Sequence, residues 1–94
     1  MNRRILILLC LITACNKVPR SQQRIDKDIR DFTLAVQHRE DEPAKLCHRA
    51  VTNAAVVSAN ISAAAARPEP VPAAQYVELD NADRVMRSAC ARFR

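Results

Sequence analysis

Residues 43–72 read PAKLCHRAVTNAAVVSANISAAAARPEPVP. Two proline-bounded limits frame one long segment. Pro43 suits the first turn of a helix, where its missing N–H is one of the unpaired donors anyway. Asp41, two residues earlier, can cap that start. At the other end Pro68, Pro70 and Pro72 alternate with other residues and forbid a helix. Between these limits Cys47, Ala50, Ala54, Val57, Ile61 and Ala64 recur every three or four residues, the spacing of one helical face. Lys45, Arg49, Thr52, Asn53 and Asn60 fall off that seam. The segment therefore predicts a helix over about 44–66, with small residues along its apolar stripe that let a partner helix approach closely.

After the proline connector, Leu79, Ala82, Met86, Ala89 and Phe93 repeat the same spacing and predict a helix over about 73–92. Asp80 and Asp83 stand early in it and Arg84, Arg87 and Arg92 late, as the helix dipole favours. Two helices joined by a short proline turn fold back as an antiparallel hairpin. Upstream, Ile25, Ile29, Phe32 and Val36 share a face and predict a first helix over about 24–40, with Ser21 as N-cap. In that reading Asp26 and Asp28 sit near its positive end, His38 and Arg39 near its negative end, and Asp26 pairs with Arg30 one turn on.

The composition agrees with an all-α fold. The chain contains no glycine, so positive-φ turns and two-residue hairpins lose their usual residue. The apolar fraction is 49%, but much of it is alanine, and the aromatics are only Phe32, Tyr76 and Phe93. The core is expected to be thin. A small three-helix arrangement with a covalent staple fits a chain of this size.

The cysteines supply the staple. Measured from a turn centred between Glu69 and Pro70, Cys47 and Cys90 lie at similar distances along the two helices, so an antiparallel hairpin sets them opposite each other. This predicts a Cys47–Cys90 disulfide rather than two free thiols or a bond to another protein. Closing a loop of this length stabilises by about 4 kcal/mol in the chain-entropy account.

The N-terminus states a destination. Asn2-Arg3-Arg4 is a positive n-region, the eight residues 5–12 are apolar, and Thr13-Ala14 precede Cys15. Eight apolar residues are far short of the roughly twenty that cross a bilayer. The order is that of a secretory leader, and Ile12-Thr13-Ala14-Cys15 resembles the lipobox of bacterial lipoproteins. The resemblance covers about the first fifteen residues. It implies that 1–14 is a signal peptide, that Cys15 carries a diacylglycerol, and that 15–23 is a lipidated flexible tether ahead of a small helical domain at 24–94. An ordinary secretory cut near Ala14 and an uncleaved N-terminus are the competing readings. Two acyl chains anchor stably where one does not. Asn16, in place of aspartate, points to the outer membrane, with the protein facing the periplasm. Loss of Arg3 and Arg4 with the leader lowers the formal charge from +5 to +3.

The remaining chemistry is sparse. Cys47, His48 and Cys90 sketch a metal site, but adjacent helical residues diverge by about 100° and no ligand spacing supports it, so no metal and no cofactor is expected. Without glycine there is no phosphate loop and no nucleophile elbow. Ser58 and Ser62 have no histidine near them in sequence, and eighty residues leave little room for a substrate pocket. The expectation is a non-catalytic protein that binds neither nucleic acid nor a small-molecule substrate.

Its expected partners are the membrane, through Cys15, and another envelope protein. In outline the chain is similar to secretion-system pilotins and to entry-exclusion lipoproteins of conjugative elements, although no motif of either is matched. The alternative is a structural envelope lipoprotein. The small murein lipoprotein is the comparison there, but it ends in a lysine that links to peptidoglycan, whereas this chain ends Arg92-Phe93-Arg94. Such a role here would be a non-covalent attachment to peptidoglycan or an anionic polymer. Val51, Val56, Tyr76, Val77 and Val85 lie outside the main stripes. Either they form a binding patch or, as expected here, the first helix covers them.

Overall fold

The computed structural model describes residues 18–93, and the expected leader, the lipidation site Cys15 and the first part of the tether lie outside them. Three helices follow in order: α1 (Arg20–Val36), α2 (Glu42–Ala65) and α3 (Ala73–Ala89), closed by a 3-10 turn at Ala91–Phe93. No strand occurs among the described residues. The fold is the all-α, three-helix arrangement with a stapled hairpin that the apolar spacing and the cysteines predict.

α2 is the central element. Its buried residues are Ala44, Cys47, Ala50, Val51, Ala54, Val57, Ser58 and Ile61. At about 100° per residue they form a band of roughly 140°, wider than the predicted stripe of roughly 100°, because α2 packs on two helices rather than one. Helical spacing sets Ala50, Ala54, Val57 and Ile61 on one edge and Ala44, Val51 and Ser58 on the other. All but Ser58 share one core with Leu79, Ala82 and Met86 of α3 and Ile25, Phe32 and Val36 of α1, and Ser58 bonds to Gln22 of α1. Ala54 is fully buried at the centre of the band. A larger side chain there would hold the helices apart.

Helix ends differ from the sequence expectation in instructive ways. α1 begins at Arg20, four residues early, with Pro19 extended before it and the Gln23 amide donating to the Pro19 carbonyl at 3.0 Å. Ser21 is thus inside the helix and not its cap. The cause is tertiary: Gln22, assigned to the tether, is 2% exposed and packs on α2. α1 stops at Val36, so His38 and Arg39 miss its last turn. The chain must instead reach the extended conformation at Asp41 (φ −70°, ψ 155°) that lets α2 start one residue before Pro43. Asp41 occupies the N-cap position without a side-chain cap bond. Its carboxylate accepts from the Arg39 Nε at 3.1 Å instead.

The early start of α1 and the start of α3 at Ala73 also place Asp26, Asp28, Asp80 and Asp83 beyond the first turns, where neither helix has an acidic residue. Asp26 does not pair with Arg30. The α1 surface pair is Lys27–Asp31 at 2.7 Å, and Asp26 accepts from the Ser58 hydroxyl at 2.5 Å. α3 ends at Ala89, and Arg92 lies in the 3-10 turn that follows.

The disulfide forms between Cys47 and Cys90, with Cα atoms 4.7 Å apart and both residues fully buried. It locks the end of the hairpin far from the proline connector. Phe93, three residues on, packs against the core, with the Arg39 guanidinium 4.8 Å above its ring. The C-terminal turn is thus held against the α1–α2 corner by a covalent bond on one side and a cation–π contact on the other.

Candidate functional site

The hairpin has two faces, and α1 covers one of them. On that face Gln22 Nε2 donates to the Ser58 carbonyl and hydroxyl, each at 3.2 Å, and to the Ser62 hydroxyl at 3.0 Å. The Ser58 hydroxyl in turn donates to the Asp26 carboxylate. α1 also reaches α3, where Arg87 lies 3.7 Å from Asp28 and 3.2 Å from Asp83. The network holds α1 in register along α2, since a one-residue slide would leave a buried amide unsatisfied. Ser58 and Ser62, read from sequence as a lone serine pair, are structural. Both accept from Gln22, and only Ser58 goes on to a carboxylate, with no histidine in the network.

The other face of the hairpin is open. Successive helical residues turn by about 100°, so Leu46, Ala50 and Asn53 of α2 and Val85 and Ala89 of α3 flank the core on the side away from Ser58 and Arg87. With Arg49 they line a shallow groove of about 390 Å³. Leu46 is 53% exposed and Val85 57% exposed. Neither has a covering element among the described residues. Arg49, at the rim, has no acidic partner within salt-bridge distance there.

The expectation that α1 would cover all five off-stripe apolar residues is therefore corrected. Val51 is buried and Tyr76 packs partly against the core. Val56, Val77 and Val85 remain exposed, because one straight helix masks only one flank of a two-helix layer. Leu46 was missed as a surface residue. Its position one residue before Cys47, on the flank turned away from α1, identifies it only once the covered face is known.

Two further concavities carry different chemistry. A cleft of about 550 Å³ at the start of α1 is lined by Val18, Gln22, Ser62, Ala65, Ala66, Arg67 and Pro68. That volume lies within the range of ligand sites, but the cleft is open to solvent and no histidine or carboxylate lines it. At the opposite end, Arg39, Lys45, His48 and Arg49 line a cationic cleft of about 390 Å³ with Thr33, Val36, Gln37 and Ala44. Two of its basic residues are engaged, Arg39 with Asp41 and Lys45 with Glu42 at 3.9 Å. His48 borders this cleft, and the two sulfurs of the sketched metal site, Cys47 and Cys90, are joined to each other in the disulfide and offer no thiolate. Among the described residues no group of three or more His, Cys, Asp or Glu side chains is placed to hold a metal ion. None of the described helices is long and apolar enough to cross a membrane.

No family model, curated protein or solved structure matches this chain.

Proposed function

We propose that this chain is a lipid-anchored protein of the bacterial envelope, held by acyl chains on Cys15, that acts by binding another envelope protein through the open face of its hairpin. The groove of Leu46, Ala50, Val85 and Ala89 carries this reading. It is apolar at its floor, polar at Asn53 and cationic at Arg49. An amphipathic helix with a carboxylate at its edge has the complementary pattern. The lipobox resemblance of Ile12-Thr13-Ala14-Cys15 supports the anchor, and the apolar run before it supports export. Binding rather than catalysis fits the site's content, since the groove offers no nucleophile, no general base and no charged pair.

Site-specific photo-crosslinking in cells tests the reading. A photoreactive residue at position 46 or 85 is expected to give one discrete adduct with an envelope protein. The same residue at Leu34, which is 66% exposed on α1 away from the groove, is expected to give none. Equal labelling from all three positions would rule out a defined interface. Intact mass of membrane-extracted protein tests the anchor separately. Residues 15–94 plus acyl chains are expected, and the unlipidated mass would remove it.

A further inference from the structure

The open groove is short. Leu46, Arg49, Ala50, Asn53, Val85 and Ala89 line it, so its apolar floor runs for about two helical turns. At one end it stops where the hairpin closes, at Cys47–Cys90 beside Leu46 and Ala89. At the other end the same helical faces turn polar. Two turns beyond Asn53 stands Asn60, two turns before Val85 stands Glu78, and both are exposed. A stable protein–protein interface uses about 20–30 residues on each side. A groove of this size falls well below that, in the class of weak and transient contacts.

The covered face shows how such a contact is made to hold. α1 stays on the hairpin with four buried side chains, Gln22, Ile25, Phe32 and Val36, because the turn 37–41 keeps it beside α2. A partner helix in the open groove has no such link and needs another source of closeness. Lipid on Cys15 supplies one. Cys15 and Arg20 are five residues apart, at most about 18 Å when fully extended. Gln22 donates to the Ser62 hydroxyl, which sets the start of α1 beside Ser62. Back along α2 from Ser62, Leu46 is about 24 Å away. The groove therefore stays within about 50 Å of the anchoring leaflet, whatever the tilt of the bundle.

We infer that the helix that docks between Leu46 and Val85 belongs to a protein held in the same membrane as this chain, by a transmembrane span or a lipid of its own. The inference rests on the anchor and the groove proposed above and adds where the partner is fixed. Confinement of both proteins to one thin layer raises their local concentration without any new contact. The shallow groove and the short tether then act together. The complex forms on the membrane and falls apart in solution.

Photo-crosslinking from position 46 tests this with two forms of the protein. One is the acylated wild-type chain. In the other, residues 1–14 are replaced by a leader cut before an unacylated residue, and Cys15→Ser removes the lipid site. The two are brought to equal abundance in the same compartment, and intact mass verifies acylation and an oxidised Cys47–Cys90 pair. The soluble form is expected to give at least about tenfold less adduct. The crosslinked chain, identified by mass spectrometry, is expected to carry a membrane anchor. An undiminished adduct from the soluble form, or a crosslinked chain with no anchor, would overturn the inference and leave the groove reading standing. No adduct from position 46 or 85 of the acylated protein would overturn the groove reading and this inference with it. A wild-type mass without acyl chains would overturn the anchor, which separates that failure from the others.

Discussion

The two interfaces of α2 are built on different principles. Toward α3 the contact is apolar, between small residues such as Ala50, Ala54 and Ala82, and is closed by a covalent bond at Cys47–Cys90. Toward α1 the apolar part is Ile25, Phe32 and Val36, and a buried amide–hydroxyl network fixes the register. The first interface draws its strength from restricting the unfolded chain. The second depends on native packing and on satisfied polar groups. The hairpin is thus the part of the molecule that survives when contacts loosen, and α1 is the part that comes away.

Breaking the staple gives the largest effect. The cysteines are 43 residues apart, and a closed loop of that size contributes about 4 kcal/mol in the chain-entropy account. A domain of this size has on the order of 5 kcal/mol in all. The Cys47→Ala/Cys90→Ala protein is expected to lose most of its stability in urea unfolding. Wild-type protein with reductant should match it, while reductant should not affect the double variant. A double variant as stable as oxidised wild type would mean that α2 and α3 hold together by packing alone.

Phe32→Ala attacks the other interface. Truncating a buried phenylalanine costs about 3 kcal/mol or more, and Phe32 is 4% exposed. With the cystine intact, α1 is expected to detach before the hairpin. Amide exchange should then accelerate along Arg20–Val36 while α2 and α3 stay protected. Uniform acceleration over all three helices would show a single cooperative unit and remove the distinction between the interfaces.

The same contrast explains what was legible in the sequence. The α2–α3 hairpin could be read because its information is local and periodic: an apolar repeat, three prolines in a connector, and two cysteines equidistant from the turn. The α1–α2 contact could be read only in part. Ile25, Phe32 and Val36 announce a face, but Gln22, Ser58 and Ser62 look like solvated residues, and the burial of Gln22 and Ser58 depends on a pairing 36 residues apart, with Ser62 joining at 40. Arg20, Gln22 and Gln23 are good helix formers, but no apolar residue in 20–23 extends the face, so the burial of this first turn follows from that distant contact. The open groove was half legible. Val85 stood out from its stripe, but nothing local distinguishes exposed Leu46 from buried Val51.

Gln22 provides the next test. Gln22→Ala leaves the Ser58 and Ser62 hydroxyls without their donor and is expected to cost about 1–2 kcal/mol, measured by the urea midpoint at constant slope. A Gln22→Leu/Ser58→Ala/Ser62→Ala protein is expected to recover part of that loss, since the buried amide and both hydroxyls go together and only Asp26 and the Ser58 carbonyl lose a donor. If the triple variant is worse than Gln22→Ala alone, the network is a net source of stability and not only a register device.

The smallest effect belongs to the exposed turn between the two interfaces. The Arg39 side chain donates to Asp41 and holds its carboxyl below the usual carboxylate range. A depressed folded-state pKa means that the pair stabilises above the ordinary carboxylate value. That contribution is lost as the pH falls from there through the folded-state value. Asp41→Asn is therefore expected to lower the melting temperature slightly at neutral pH, by no more than about 2 °C because the pair is solvent-exposed. The gap from wild type should close in acid, below about pH 4. Arg39→Ala should cost more than Asp41→Asn at the same pH, since Arg39 also covers the Phe93 ring, and its excess over Asp41→Asn should persist in acid, where the ion pair is gone but the aromatic contact remains. Equal losses from the two variants at neutral pH would mean that the Phe93 contact adds nothing. The C-terminal turn would then be held by the cystine and by the packing of Phe93 on the core, and the corner would contribute only its Arg39–Asp41 pair.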